Sequence, residues 1–136
     1  MKIYFAGAIR GGRDDRELYF EIIKELQKYG EVLTEHLGDS KLSDIGEPLS
    51  SKEVFERDVA WLHEADVIIA EVTTPSLGVG YEVGLAEKIG KKVLCLFRIQ
   101  DNRKLSMMID GNKKVTTNYY SNLTEAKTHI KDFFNL

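Results

Sequence analysis

The stretch VIIAEVTTPSLGVGYEVG, residues 67–84, decides how the rest of the chain is read. Its first four residues, Val67, Ile68, Ile69 and Ala70, are apolar and mostly β-branched. That is the pattern of a strand buried on both faces of a parallel sheet. Thr73 to Gly80 is rich in turn formers and is expected to be a loop, with a helical pattern opening at about Tyr81. In an open α/β sheet, ligands settle in the crevice at the carboxyl ends of the strands, where such a loop lies. The spacing puts Glu82 in the first turn of the helix, where the dipole favours a negative side chain. A glutamate there either complements that dipole or, held ionised beside a Gly-rich loop, serves as nucleophile or base.

Working outward, residues 2–6 read as a first strand, closed by the loop GAIRGGR at 7–13. Asp14 and Asp15 suit the start of a helix to about residue 29, with Leu18, Ile22, Ile23 and Leu26 as its apolar stripe and Gly30 as its stop. Residues 31–35 are expected to form a short second strand, and residues 37–50 a long polar loop. Ser50 and Glu53 predict a capping box for a helix over 51–64. The expected elements that follow are a strand over 67–72, a helix over 80–89 stopped by Gly90, and a strand over 92–97. A helical turn at 105–109, a strand at 115–120 and an amphipathic helix at 122–134 close the chain. Strands alternating with helices predict one α/β domain over residues 1–136, a flavodoxin-like doubly wound five-stranded parallel sheet of order 2-1-3-4-5. In that order the loops at 7–13 and 73–80 converge on one crevice.

The composition narrows the function classes. With 43% hydrophobic and 30% charged residues, the 136-residue chain is expected to be soluble and to bury its own core. No apolar run nears the roughly 18 residues of a membrane span, and the direct entry into a strand predicts no signal peptide. A single cysteine, Cys95, fits a reducing cytoplasm and reads as core. A net charge of −3 without a basic stripe argues against duplex nucleic acid.

Asp58 is the second informative carboxylate. Val54, Asp58, Trp61 and Ala65 share one helical face, widened by Phe55 and Leu62, which is expected to pack on the sheet. A buried aspartate is costly unless paired, so Asp58 is either a structural hydrogen-bonder or a site acid tuned by burial. Glu82, in line with Ala86 and Ile89, also borders an apolar face. Two carboxylates at one crevice are the minimum for cleaving a glycosidic bond. Tyr4 is either core or a hydroxyl aimed at the site, and His36 is a candidate to line the crevice. The 7–13 loop suits a phosphate through backbone N–H groups and two guanidinium groups, or is a tight turn with solvated arginines. It lacks the P-loop ending, and the Gly78–Gly84 spacing is one residue too long for a dinucleotide fingerprint, which rejects a nicotinamide cofactor. His36, His63, His129 and Cys95 show no metal-ligand spacing, and His63 and His129 read as surface residues.

These residues carry a resemblance. The segments YFAGAIRGGR (4–13), VLTEH (32–36), DVAWL (58–62), AEVT (70–73), PSLGVGYE (75–82), LCLFR (94–98) and LS (105–106) resemble the 2′-deoxynucleoside 5′-monophosphate N-hydrolases. Those enzymes belong to the nucleoside 2-deoxyribosyltransferase group. The resemblance implies hydrolysis of a deoxynucleoside monophosphate to free base and 2-deoxyribose 5-phosphate, without metal or organic cofactor. By position it makes Glu82 the nucleophile of a covalent intermediate, Asp58 the residue that assists departure of the base, and Tyr4 the residue that orients Glu82. Gly7, Ile9, Arg10, Gly11, His36, Ser76, Gly78 and Ser106 fall at substrate-binding positions. Gly7, Arg10 and Ser76 would hold the 5′-phosphate, and Ser106 would reach the neighbouring site of a homodimer. One departure is Ala8, where the family carries a serine; losing that hydroxyl is worth on the order of 1 kcal/mol, or up to about 3 if the phosphate goes unpaired. Read from the residues alone, a deoxyribosyltransferase, a cytidine-monophosphate-type hydrolase of ribonucleotides and a nucleotide-binding sensor all remain open.

Overall fold

Alternation along the central strands decides which residues face which layer. The computed structural model describes residues 1–9, 15–38, 47–100 and 102–135. In β1 (Lys2–Ala6), Ile3 and Phe5 point to one side of the sheet, and Tyr4 and Ala6 to the other. β3 (Val67–Glu71) and β4 (Lys92–Arg98) repeat the pattern, with Ile69, Leu94 and Leu96 on the first side and Ile68, Cys95 and Phe97 on the second. Burying each large apolar side chain in full is worth roughly 1.5–3 kcal/mol, which is why these strands hold no polar face.

Helices α1 (Arg16–Leu26) and α5 (Leu123–Phe134) cover the first side through Tyr19, Ile22, Leu26, Ala126, Ile130 and Phe133. Helices α2 (Ser51–Glu64) and α3 (Leu77–Lys88) cover the second through Leu62, Val79, Val83 and Ala86. The short helix α4 (Met107–Asp110) precedes the edge strand β5 (Thr116–Tyr120). All pairings are parallel and the order is β2-β1-β3-β4-β5, as the sequence predicts. The register sets Tyr4 opposite Ile68 and Ala6 opposite Ala70, so β1 and β3 end level with each other. Among the described residues, no helix is long and apolar enough to cross a membrane.

Two expectations need correction. The second strand is only Glu31–Val32, not residues 31–35. After Leu33 the hydroxyl of Thr34 takes over the pairing, accepting from Phe5 N at 2.9 Å and donating to Phe5 O at 2.6 Å, and the chain turns into a 3-10 turn, Glu35–Gly38. The remainder of the expected loop, residues 39–46, lies outside the described residues. The face of α2 that bears Asp58 was expected to pack on the sheet, yet only Leu62 on that helix is buried. Leu62 and the capping Ala65, with Trp61 packed against them, do join the core on the sheet, whereas Val54 and Asp58 are half-buried and Phe55 is exposed, because the earlier part of this face looks onto a cleft. The capping box is as the sequence predicts, with Ser50 Oγ accepting from Glu53 N at 3.1 Å and Glu53 Oε1 accepting from Ser50 N at 3.0 Å.

Gly30 acts through closeness rather than as a helix stop, since α1 ends at Leu26. A Cβ at Gly30 would lie 2.3 Å from the carbonyl oxygen of Met1, which also accepts from Glu31 N at 2.9 Å. Gly30→Ala is therefore expected to destabilise the fold by about 1–3 kcal/mol, and Ser50→Ala by about 1 kcal/mol. Urea denaturation checks both, and an unchanged midpoint for Gly30→Ala would contradict the close approach.

Candidate active site

Glu82 is placed by the start of α3. Ser76 caps that helix, its Oγ accepting from Val79 N at 3.3 Å, so the helix begins at Leu77 rather than near residue 80. Glu82 consequently sits in the second turn, beyond the reach of the terminal dipole, and the first-turn expectation is corrected. What holds it is Tyr4. The buried Tyr4 hydroxyl, on the face of β1 turned toward α2 and α3, donates a hydrogen bond to Glu82 Oε2. Gly78, one turn earlier, has no side chain to fill the space beside Oε1; a Cβ there would stand 3.9 Å from that oxygen.

Burial pushes the Glu82 carboxyl up to about 7, opposed by the Tyr4 hydrogen bond and reinforced by the charge of Asp58. Burial first, then the charges of Glu82 and Asp58, raise the Tyr4 phenol, so Tyr4 stays a donor. Asp58 lines the same cleft, a cavity of about 380 Å³. Burial raises its carboxyl and the hydrogen bond from Arg57 opposes that rise. Glu82 and Asp58 are thus two carboxyl groups in one cleft, each made harder to ionise mainly by burial.

The cavity walls are mixed. Val54, Phe55, Val59 and Tyr81 give an apolar side, with the rings of Phe55 and Tyr81 6.2 Å apart between centroids. Gly7, Ile9, Ser76 and Gly78 belong to the same cleft, so the two loops do converge where the strand order reverses. Arg10 and Gly11 lie outside the described residues. His36 is not in the cavity wall. Its Nε2 stands 3.2 Å from Glu47 Oε1, and Glu47 does line the cavity. Ser106 caps α4, its Oγ accepting from Met108 N at 3.2 Å, and borders a separate hollow between α3 and α4. Ala8 is buried, with its N–H donated to Tyr19 Oη at 3.0 Å. Cys95 is core, its thiol pushed up to about 12 by burial. His63 and His129 both lie at the surface of helices, His129 partly covered, with its Nε2 3.0 Å from the Tyr119 carbonyl oxygen. Among the described residues, no three His, Cys, Asp or Glu side chains gather as a metal site would require.

Three groups escape sequence reasoning. Glu71, at the end of β3, is fully buried and accepts from Thr73 N and Thr73 Oγ1 at 2.9 Å each and from Tyr120 Oη at 2.5 Å. Those bonds pin the root of the 73–76 loop, and Thr73 Oγ1 in turn accepts from Arg98 N at 2.8 Å. Arg57 and Glu47 form a forked ion pair beside Asp58, with N–O distances of 2.5 and 2.7 Å. An acid in an otherwise apolar strand was a legible signal for Glu71; nothing in the sequence links residues 47 and 57.

A doubly wound sheet with two carboxylates at its switch point fits a glycosidic-bond enzyme, and comparison places the chain further. Residues 3–119 match the nucleoside 2-deoxyribosyltransferase family, and the chain belongs to it. Within that family it is similar to a 5-hydroxymethyl-dUMP N-hydrolase of Tetraodon nigroviridis, 49% identical over 99% of this chain and 98% of the relative. It is likewise similar to a protein of the same name from Mus musculus, 50% identical over 93% of this chain and 77% of that one. Among solved structures, a CMP N-glycosidase, BcmB, from Clostridium botulinum has the same fold, with a TM-score of 0.65 at 20% identity, covering 98% of this chain and 99% of that one.

Burying Glu82 has a cost that can be measured. Its folded value of about 7 lies above the ordinary glutamate range, so the folded state holds a proton that the unfolded state releases. Stability from this group is full below the unfolded value and is lost as pH rises toward about 7. Glu82→Gln removes the titration and keeps an acceptor for Tyr4. It is expected to stabilise the fold by on the order of 1–3 kcal/mol at pH 8 and by almost nothing at pH 4. Denaturation at the two pH values checks this, and an equal difference at both would contradict it.

Proposed function

We propose that the chain hydrolyses the N-glycosidic bond of 2′-deoxynucleoside 5′-monophosphates, giving the free base and 2-deoxyribose 5-phosphate. The observation that carries this reading is Glu82, half-buried, hydrogen-bonded by Tyr4 and facing the cleft that also holds Asp58. The half-identical relatives named 5-hydroxymethyl-dUMP N-hydrolase supply the substrate class.

In this reading Glu82 is the nucleophile. Tyr4 occupies Oε2, so Oε1 is the oxygen that attacks C1′. The bond from C1′ to the base nitrogen breaks, its electron pair leaves with the base, and the base takes a proton from the Asp58 carboxyl. Asp58, now a carboxylate, accepts a proton from water as the water oxygen attacks C1′ and the ester to Glu82 breaks. Both carboxyl groups return to their starting forms, and the sum is one water added across the glycosidic bond. The apolar wall of Val54, Phe55 and Tyr81 suits a base. Gly7, Ile9 and Ser76, with Arg10 and Gly11 by resemblance, suit the sugar phosphate.

The same reading includes a homodimer in the cytoplasm. Leu77 and Met108, which line the hollow that also holds Ser106, are 97% and 84% exposed, and Met107, beside Met108 in sequence, is 90% exposed. Solvent-facing apolar residues of this kind favour a covering partner, and a second copy would bring Ser106 toward the neighbouring cleft.

Chromatography of the protein with each deoxynucleoside monophosphate, with and without an added free base, tests the reaction. Free base and deoxyribose 5-phosphate, unchanged by the added base, are expected; a new nucleotide formed only with that base would make the chain a transferase. Glu82→Ala should lower kcat by on the order of 10⁴-fold or more with the fold intact. Glu82 attacks as a carboxylate, so its limb of the kcat/KM profile should rise with pH through about 7, where Glu82 loses its proton. Sedimentation should show a dimer, and a monomer with full activity would remove the role given to Ser106.

A further inference from the structure

Arg57 precedes Asp58 on α2, and consecutive residues of a helix point about 100° apart. Contact between them requires the longer side chain to fold back and stay there. Two features hold it. The guanidinium makes a forked pair with Glu47, Nη1 to Oε1 at 2.5 Å and Nη2 to Oε2 at 2.7 Å. Its carbon lies 4.7 Å from the centre of the Trp61 ring, a cation–π seat one turn along the helix. Fixed in this way, Arg57 sends both Nε and Nη2 to a single oxygen, Asp58 Oδ1, each at 2.9 Å.

We propose that Arg57 is the positioning residue for departure of the base: by occupying Asp58 Oδ1 with two donors, it presents Oδ2 to the substrate and confines to Oδ2 the proton that the base receives. This rests on the hydrolase reading for the role of Asp58. The charged and titratable groups that face Asp58 are Arg57 on its own helix, Glu47 from the segment before it, His36 from the 3-10 turn, Glu82 from α3 and Tyr4 from β1. Arg57 and a protonated His36 favour the Asp58 carboxylate, whereas burial and Glu47 favour its carboxyl form. Arg57 and Glu47 therefore act on the Asp58 proton with opposite sign, although they are partners in one ion pair.

The test is an NMR titration of the Asp58 carboxyl carbon in wild type, Arg57→Gln and Glu47→Gln, alongside kcat and KM for a deoxynucleoside monophosphate. In Arg57→Gln the Asp58 midpoint should move up by about one pH unit or more. Its kcat should fall by about 10- to 100-fold, with KM changed by less than about threefold. In Glu47→Gln the midpoint should move down. Arg57→Lys keeps the charge without the fork, so the midpoint should stay near wild type while kcat still falls; it also carries the test if Arg57→Gln does not fold. Midpoints that move the same way in the Gln variants, or not at all, would overturn the proposal. Release of no base by the wild type would instead defeat the hydrolase reading, while the titration still reports whether Arg57 controls the Asp58 proton.

Discussion

The hydrogen bond from Tyr4 to Glu82 ties the first strand to the third helix across 78 positions of sequence, and the geometry of the site follows from it. It exists because the sheet order sets β1 beside β3 and the register leaves both strands ending at the same level. Tyr4 must then be the β1 residue that faces α3, which the alternation with Ile3 and Phe5 enforces. A one-residue slip of β1 would send that hydroxyl into the opposite core and leave the half-buried Glu82 without its Tyr4 donor.

Around this contact the protein accepts an electrostatic cost. Glu82 and Asp58 share a partly apolar cleft, and each is harder to ionise for being there. Glu71, buried on the other face of the sheet, shows the contrast: three donors surround its carboxyl group, and its part is to anchor a loop. Glu82 takes one donor and keeps one oxygen beside the side-chain-free Gly78. On the proposed reading, the number of donors separates the carboxyl group that anchors a loop from the one left with an oxygen for the substrate.

Much of this was legible in the sequence. The runs at Val67–Glu71 and Lys92–Arg98 are buried on both faces, so each announces a strand without ambiguity. Ser50 and Glu53 mark the start of α2 because the capping box is a local interaction. The start of α3 was hidden, since Gly78 and Gly80 read as loop; the Ser76 cap carries the helix through them. The second strand was overextended because Thr34 replaces a ladder pairing with side-chain bonds to Phe5, which no alternation pattern reveals. The stripe through Val54, Asp58 and Trp61 was correctly found, but periodicity cannot say whether an apolar face meets a sheet or a cleft. The Glu47–Arg57 pair has no local signal, because a surface segment brings it together through tertiary structure alone.

The central claim is that Glu82 attacks C1′ and forms a covalent intermediate, and the stereochemistry of an intercepted product tests it most directly. With methanol competing against water, the trapped product is a methyl 2-deoxyriboside 5-phosphate whose anomeric configuration is stable and readable by proton NMR. Two displacements at one carbon preserve configuration, so a β-nucleotide should give the β-glycoside. An α-glycoside would mean that the solvent attacks directly, with Glu82 acting as its base, and would contradict the account.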